Sequence, residues 1–212
     1  SGCGNATRSE SEMYRKFMVD SLTYWAEEYN LDGFRFDLMG IHDVTTMNLI
    51  RKTLDEKFGK DTIVLYGEGW TGDGTYDSNS AHKANEAKLD SGIGYFNDQI
   101  RDAIKGEHKF DGTIGLVQTN YFSGSYLEVG EKWPNNVFGG IMGSVGYTDG
   151  QYGMWRPFWS KSSNCSLSYA SAHDNLTLWD KLTENVSGQY NTTDERLIRM
   201  NKMTGGLGGL TF

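Results

Sequence analysis

The chain has 212 residues, enough for one large domain or two small ones, and its 37% hydrophobic, 23% charged and 13% aromatic residues make a globular composition. A net charge of −8 argues against a binder of nucleic-acid backbones, which needs clustered Lys and Arg. No run of about 18 apolar residues occurs, so no membrane span is expected, and the first residues show neither a basic nor an apolar leader pattern.

The first element is a helix. Ser9 to Glu12 reads S-x-x-E, a capping-box pattern, and Tyr14, Phe17, Met18, Leu22, Trp25 and Tyr29 follow at close to helical spacing, ending near Asn30. Residues 34–38 alternate as a strand does. Asp43 then caps a second helix, with Met47, Ile50, Leu54 and Phe58 on one stripe and Gly59 as its stop. A second buried strand is expected over 62–66. Helix, strand, helix, strand with short connections predicts βαβ units and a parallel sheet, hence an α/β fold.

Residues 71–92 are polar and loop-like, and a helix is expected over 95–106. From 109 to 163 the chain is rich in Gly, Tyr, Trp and Asn, which predicts helices joined by long irregular loops. A third strand is expected over 166–171, helical turns over 176–182 and a clearer helix over 194–203. The two cysteines, Cys3 and Cys165, read as free thiols.

The chemistry gathers at the strand ends. In "LDGFRFDLMG", Phe34, Phe36 and Leu38 alternate with Arg35 and Asp37. Residues two apart on a strand share a face, so Arg35 and Asp37 point together, away from the phenylalanines. An arginine beside an aspartate favours its ionised form, and an ionised carboxylate in a pocket can serve as a nucleophile. Taken alone, the two residues fit a structural ion pair equally well. The second strand also ends in an acid, Glu68 in "YGEGW", 31 positions after Asp37 and close to the length of one βαβ unit. The third ends in "HDN", with His173 and Asp174. Three strand ends, each with an acid, suit glycoside cleavage: one carboxylate attacks the sugar carbon, a second protonates the leaving oxygen, and a third holds the sugar hydroxyls.

"DGFRFDLMG", "YGEGW" and "SYASAHDNLTLWDKL" resemble three of the four signature regions of the α-amylase superfamily, glycoside hydrolase family 13, in the version of its starch-debranching branch, the type I pullulanases. "CGN", "FNDQIRDAIKG" and the run to "LTLWDKL" extend the likeness over nearly the whole chain. The resemblance implies that Asp37 is the nucleophile, Glu68 the general acid/base and Asp174 the transition-state stabiliser. It implies that Arg35 stands beside the nucleophile, that His173 binds the sugar, and that Trp70 borders the acceptor side with its ring against a sugar face. The implied reaction retains configuration through a covalent glycosyl-enzyme, with carboxylates about 5 Å apart. The implied bond is the α-1,6 branch of pullulan, amylopectin and limit dextrin.

The implied fold is a partial (β/α)8 barrel, strands four to eight over residues 1–212, truncated at both ends with the first strands missing. The family's first signature region, an Asp and a His, has no counterpart. Such a piece exposes sheet edges, so the isolated 212 residues are expected to be poorly stable and inactive. Isoamylase and glycogen-branching enzyme share the barrel and the three acids, and a non-catalytic α-glucan-binding remnant is the rival outside the enzymes.

Other residues carry less. His42 reads as a loop histidine. Four histidines without close His/Cys/carboxylate spacing predict no transition-metal site, and calcium, found in some relatives of the superfamily, has no identifiable ligand set here. Trp133, Trp155, Trp159, Tyr147 and Tyr152 are aromatic candidates for a glucan groove or for packing. The glycines of "GGLGGL" read as easing a helix-to-strand turn.

Overall fold

A computed structural model of the chain describes residues 5–107, 114–118, 132–145, 159–186 and 194–209. The chain divides into two units, Ser1–Phe96 with Trp159–Cys165, and Asn97–Phe158 with Ser166–Phe212. Cys3, Tyr147, Tyr152, Trp155, the side chain of Trp133 and most of the loops expected over 109–163 lie outside the described residues.

The first unit is built on three parallel strands, β1 (Gly33–Phe36), β2 (Val64–Gly67) and β3 (Ile93–Asn97). Phe34 pairs with Leu65 and Phe36 with Gly67, while Leu65 pairs with Ile93 and Gly67 with Tyr95. Helix α1 (Glu12–Tyr29) precedes β1, and Asn30, in the left-handed region at φ 50°, ends it where the sequence places its end. Met18 and Ala26 are buried, and Tyr14 and Leu22 pack against the core. Phe17, Trp25 and Tyr29, expected on the same stripe, are exposed; the rings of Trp25 and Tyr29 pack on each other, centroids 4.5 Å apart.

The capping box does not form. Ser11 is the N-cap of α1, without a side-chain bond. Ser9 is fully buried instead, because its hydroxyl donates to Asp43 Oδ2 (2.7 Å) and accepts from the Asp43 N–H (2.8 Å). Asp43 in turn caps α2 (Val44–Phe58), its Oδ1 accepting from the Thr46 N–H at 2.9 Å. Burial alone would raise the Asp43 carboxyl. Hydrogen bonds from Thr46 and Ser9, with the Arg15 guanidinium, outweigh it and hold the carboxyl below its ordinary range. Met47, Ile50 and Leu54 of α2 are at most 1% exposed, so these positions of the helical stripe read from sequence form its buried face, in one core cluster with Phe36, Leu65 and Ile93.

Two boundaries differ from expectation. The helix expected over 95–106 is strand up to Asn97, and α3 (Asp98–Lys105) starts after it. Ile93 and Tyr95 are buried against β2, and the Asn97 side chain accepts from the Ile100 N–H (3.3 Å), which fixes the switch from strand to helix. The polar stretch 71–92 contains a 3-10 turn, Lys83–Lys88, capped by His82.

In the second unit, α3 buries Ile100, Ala103 and Ile104 with Val117, Val137 of α4 (Lys132–Ile141), Leu182 of α5 (Leu178–Val186) and Leu197 of α6 (Asp194–Gly209). The third expected strand is β4, shorter than predicted at Ser166–Ser168. The glycines expected in a turn are helical: α6 runs through Gly209, with Leu197, Met200 and Leu207 anchoring it to this core. Cys165 is a buried free thiol in the first unit.

Candidate active site

The site begins with the glycines on either side of Glu68. A Cβ on Gly67 would lie 2.7 Å from both Met39 Cβ and the Phe36 carbonyl oxygen; one on Gly69 would lie 2.8 Å from the Tyr95 ring. Only a residue without a side chain lets the chain pass so close on both sides. Between them Glu68 is 3% exposed. Its N–H donates to Phe36 O (3.1 Å), and its carbonyl accepts from the Gly40 N–H (3.0 Å), so the turn after β1 is bonded to the end of β2.

That turn departs from the expected strand. β1 stops at Phe36, and Leu38, expected to continue the alternation, is left-handed at φ 45°. A leucine there is strained. The compensation is visible: the Leu38 N–H donates to Glu68 Oε2 at 2.7 Å. Glu68 Oε1 accepts from Arg35 Nη2 at 2.6 Å, and Arg35 Nη1 donates to Asp37 Oδ1. One guanidinium therefore holds both carboxylates, with its own plane near the Phe96 ring, 5.5 Å from the centroid. Asp37 lies just beyond β1 with its side chain 61% exposed, an open carboxylate next to a buried one.

Trp70, directly after Gly69, is half-buried. His173 and Asp174 belong to the second unit, on a bend after β4, with Nε2 and Oδ1 3.5 Å apart and both side chains exposed. His42 lies in the short loop between a 3-10 turn and α2, as expected, but it is buried. It closes the 3-10 turn Met39–Ile41, is 8% exposed and meets the Phe36 ring edge-on. Burial pushes its pKa below the ordinary 6.5, partly opposed by Asp43 and Glu10. Among the described residues no group of three or more His, Cys, Asp or Glu is placed to hold a metal ion, and no helix is long and apolar enough to cross a membrane.

Sequence reasoning did not identify Lys83. Its Nζ lies 5.4 Å from the Trp70 ring centroid and 4.7 Å from that of Trp159. The glycines of "YGEGW" are a sequence signal of close approach, but they do not name what approaches.

No protein-family model matches the chain. A pullulanase of Bacillus subtilis is 39% identical over 183 residues, 86% of this chain and 23% of the relative. The chain is a pullulanase homologue. Pullulanase crystal structures agree: that of Paenibacillus barengoltzii, in complex with maltohexaose and α-cyclodextrin, has a TM-score of 0.79 at 35% identity over 97% of this chain and 29% of that one. The Anoxybacillus pullulanase complexed with maltotetraose gives 0.78 at 34% identity, over 99% of this chain and 27% of that one. The chain thus spans between 10% and 29% of the length of these pullulanases. Its α/β architecture with a parallel sheet is the one shared with the pullulanase structures.

Proposed function

We propose that these 212 residues carry the catalytic acids of a starch-debranching glycosidase that hydrolyses α-1,6-glucosidic bonds with retention, on strands four to eight of a (β/α)8 barrel. The observation that carries the reading is the Arg35 guanidinium, bonded at once to Asp37 and to Glu68 at the ends of adjacent parallel strands. A retaining glycosidase needs two carboxyl groups held close together, one to attack the sugar carbon and one to serve as acid and then as base toward water. Asp37 is the exposed member and Glu68 the buried one.

In the proposed mechanism Asp37 attacks the anomeric carbon while Glu68 protonates the departing glucosyl oxygen. Glu68, now a base, takes a proton from water as that water displaces Asp37 from the sugar. Glu68 accepts from Arg35 Nη2 at one oxygen and from the Leu38 N–H at the other, and each oxygen keeps a second lone-pair site that can take the proton. Asp174 and His173 are assigned to the sugar hydroxyls, and Trp70 to the acceptor-side sugar face, by the family resemblance. The substrates are α-glucans such as pullulan, amylopectin and limit dextrin; the related crystal structures hold maltooligosaccharides and α-cyclodextrin.

The test is pullulan hydrolysis by the natural protein that carries this chain. Asp37→Asn and Glu68→Gln should each abolish release of maltotriose, and Arg35→Ala should cut it strongly. Transfer of glucan without new reducing ends would point to a branching enzyme instead, and binding without turnover to the glucan-binding remnant.

A further inference from the structure

Three features meet at the residue after Glu68. The Lys83 N–H donates to the Gly69 carbonyl at 3.0 Å. The Lys83 stem lies over Gly69, its Cγ 3.0 Å from where a Cβ would stand. Its ammonium then reaches the rings of Trp70 and Trp159 together. Trp159 is itself braced edge-on by Tyr95, centroids 5.9 Å apart at 89°, and Tyr95 also closes on Gly69, 2.8 Å from where a Cβ would stand. A cation between two indole faces attracts both, and the attraction strengthens as water is excluded. One lysine thus ties the backbone beside the buried acid to the orientation of the ring that follows it.

We propose that Lys83 is a positioning residue that fixes the Trp70 ring for an acceptor-side sugar, and so sets the affinity for longer α-glucans without taking part in bond cleavage. The proposal rests on the glycosidase reading of Asp37 and Glu68. It assigns to Lys83 a contribution to KM and not to kcat, because an indole held in its bound orientation lowers the ordering cost of binding.

Lys83→Met keeps the stem over Gly69 and removes the charge; Lys83→Arg keeps the charge. In the natural protein, Lys83→Met should raise KM for pullulan roughly fivefold, the scale of a part-desolvated cation–ring contact, with kcat within about twofold, and Lys83→Arg should restore KM. In a Glu68→Gln background Lys83→Met should weaken maltotetraose binding by a similar factor. Unchanged KM, or an arginine variant as impaired as the methionine one, overturns the proposal. A second readout does not depend on activity. Acrylamide quenching assigned to Trp70, by difference from Trp70→Phe, should rise in Lys83→Met; no rise overturns the proposal even if pullulan is not a substrate. Absent pullulan hydrolysis with increased quenching would instead discard the glycosidase reading and leave the Lys83 clamp in place.

Discussion

Two glycine-rich stretches carry the same residue type to opposite ends. In "YGEGW" the glycines are crowded: a Cβ on Gly67 would meet Met39 and Phe36, and one on Gly69 would meet Tyr95, all under 3.0 Å, with Lys83 tight against Gly69 at 3.0 Å. In "GGLGG" they are open: among the described residues, a Cβ on Gly205, Gly206, Gly208 or Gly209 meets nothing within 4 Å. The first pair is there for what comes close. The second sits inside helix α6, where glycine only adds freedom to the unfolded chain. A glycine's role therefore follows from its neighbours in space, and those are not written next to it in the sequence.

The largest effect belongs to the crowded pair. Gly67→Ala should lower stability by about 1–3 kcal/mol, the cost of an overpacked site, read as a shift in urea midpoint. By moving Glu68 it should also reduce pullulan hydrolysis by roughly 100-fold, the effect of an ångström-scale misplacement. Wild-type turnover in Gly67→Ala would mean that the close approach to Met39 is not needed. Next comes the buried network that anchors the turn before α2. Asp43→Ala removes the acceptor of Ser9, Thr46 and Arg15 and should cost about 1–2 kcal/mol, the range of a lost N-cap. A midpoint unchanged from wild type would contradict that role.

The open glycines should respond in the other direction. Gly205→Ala and Gly206→Ala should each raise stability by about 0.5–1 kcal/mol, since helical alanine outranks glycine and no neighbour obstructs it. A loss at either position would show that α6 is packed there after all. The smallest effect is the pH response of His42. Its folded pKa lies below the unfolded 6.5 because burial disfavours the cation. Below pH 6.5 the unfolded chain binds a proton that the native one refuses, so stability is complete above 6.5 and declines as pH falls through it. Urea midpoints at pH 7.5 and 6.0 should differ in that sense, and His42→Gln should reduce the difference.

Local signals served well where neighbours in space are also neighbours in sequence. Asp43 caps α2, and Met47, Ile50 and Leu54 form its buried face, because a helix brings residues three and four apart together. The acids at the ends of β1 and β2 were legible through strand alternation and the length of a βαβ unit, and Arg35 does meet both. The start of α3 was not legible, because Tyr95, Phe96 and Ile100 satisfy a strand period and a helix period alike; sheet pairing and the Asn97 cap decide it. Ser9 looked like a helix cap, but an acceptor 34 residues away claims its hydroxyl. Lys83 had no signal at all, since it sits in a polar stretch and its partners Trp70 and Trp159 are distant in the chain.

The assignment of Asp37 as nucleophile and Glu68 as acid/base can be examined on one peptide. Glu68→Gln protein would be incubated with α-maltotriosyl fluoride, whose leaving group needs no acid, then quenched, digested and weighed by mass spectrometry. A maltotriosyl adduct on Asp37 is expected, because glycosylation proceeds while its hydrolysis lacks a base. An adduct on another residue, or none while the fluoride is still consumed, would contradict a covalent role for Asp37.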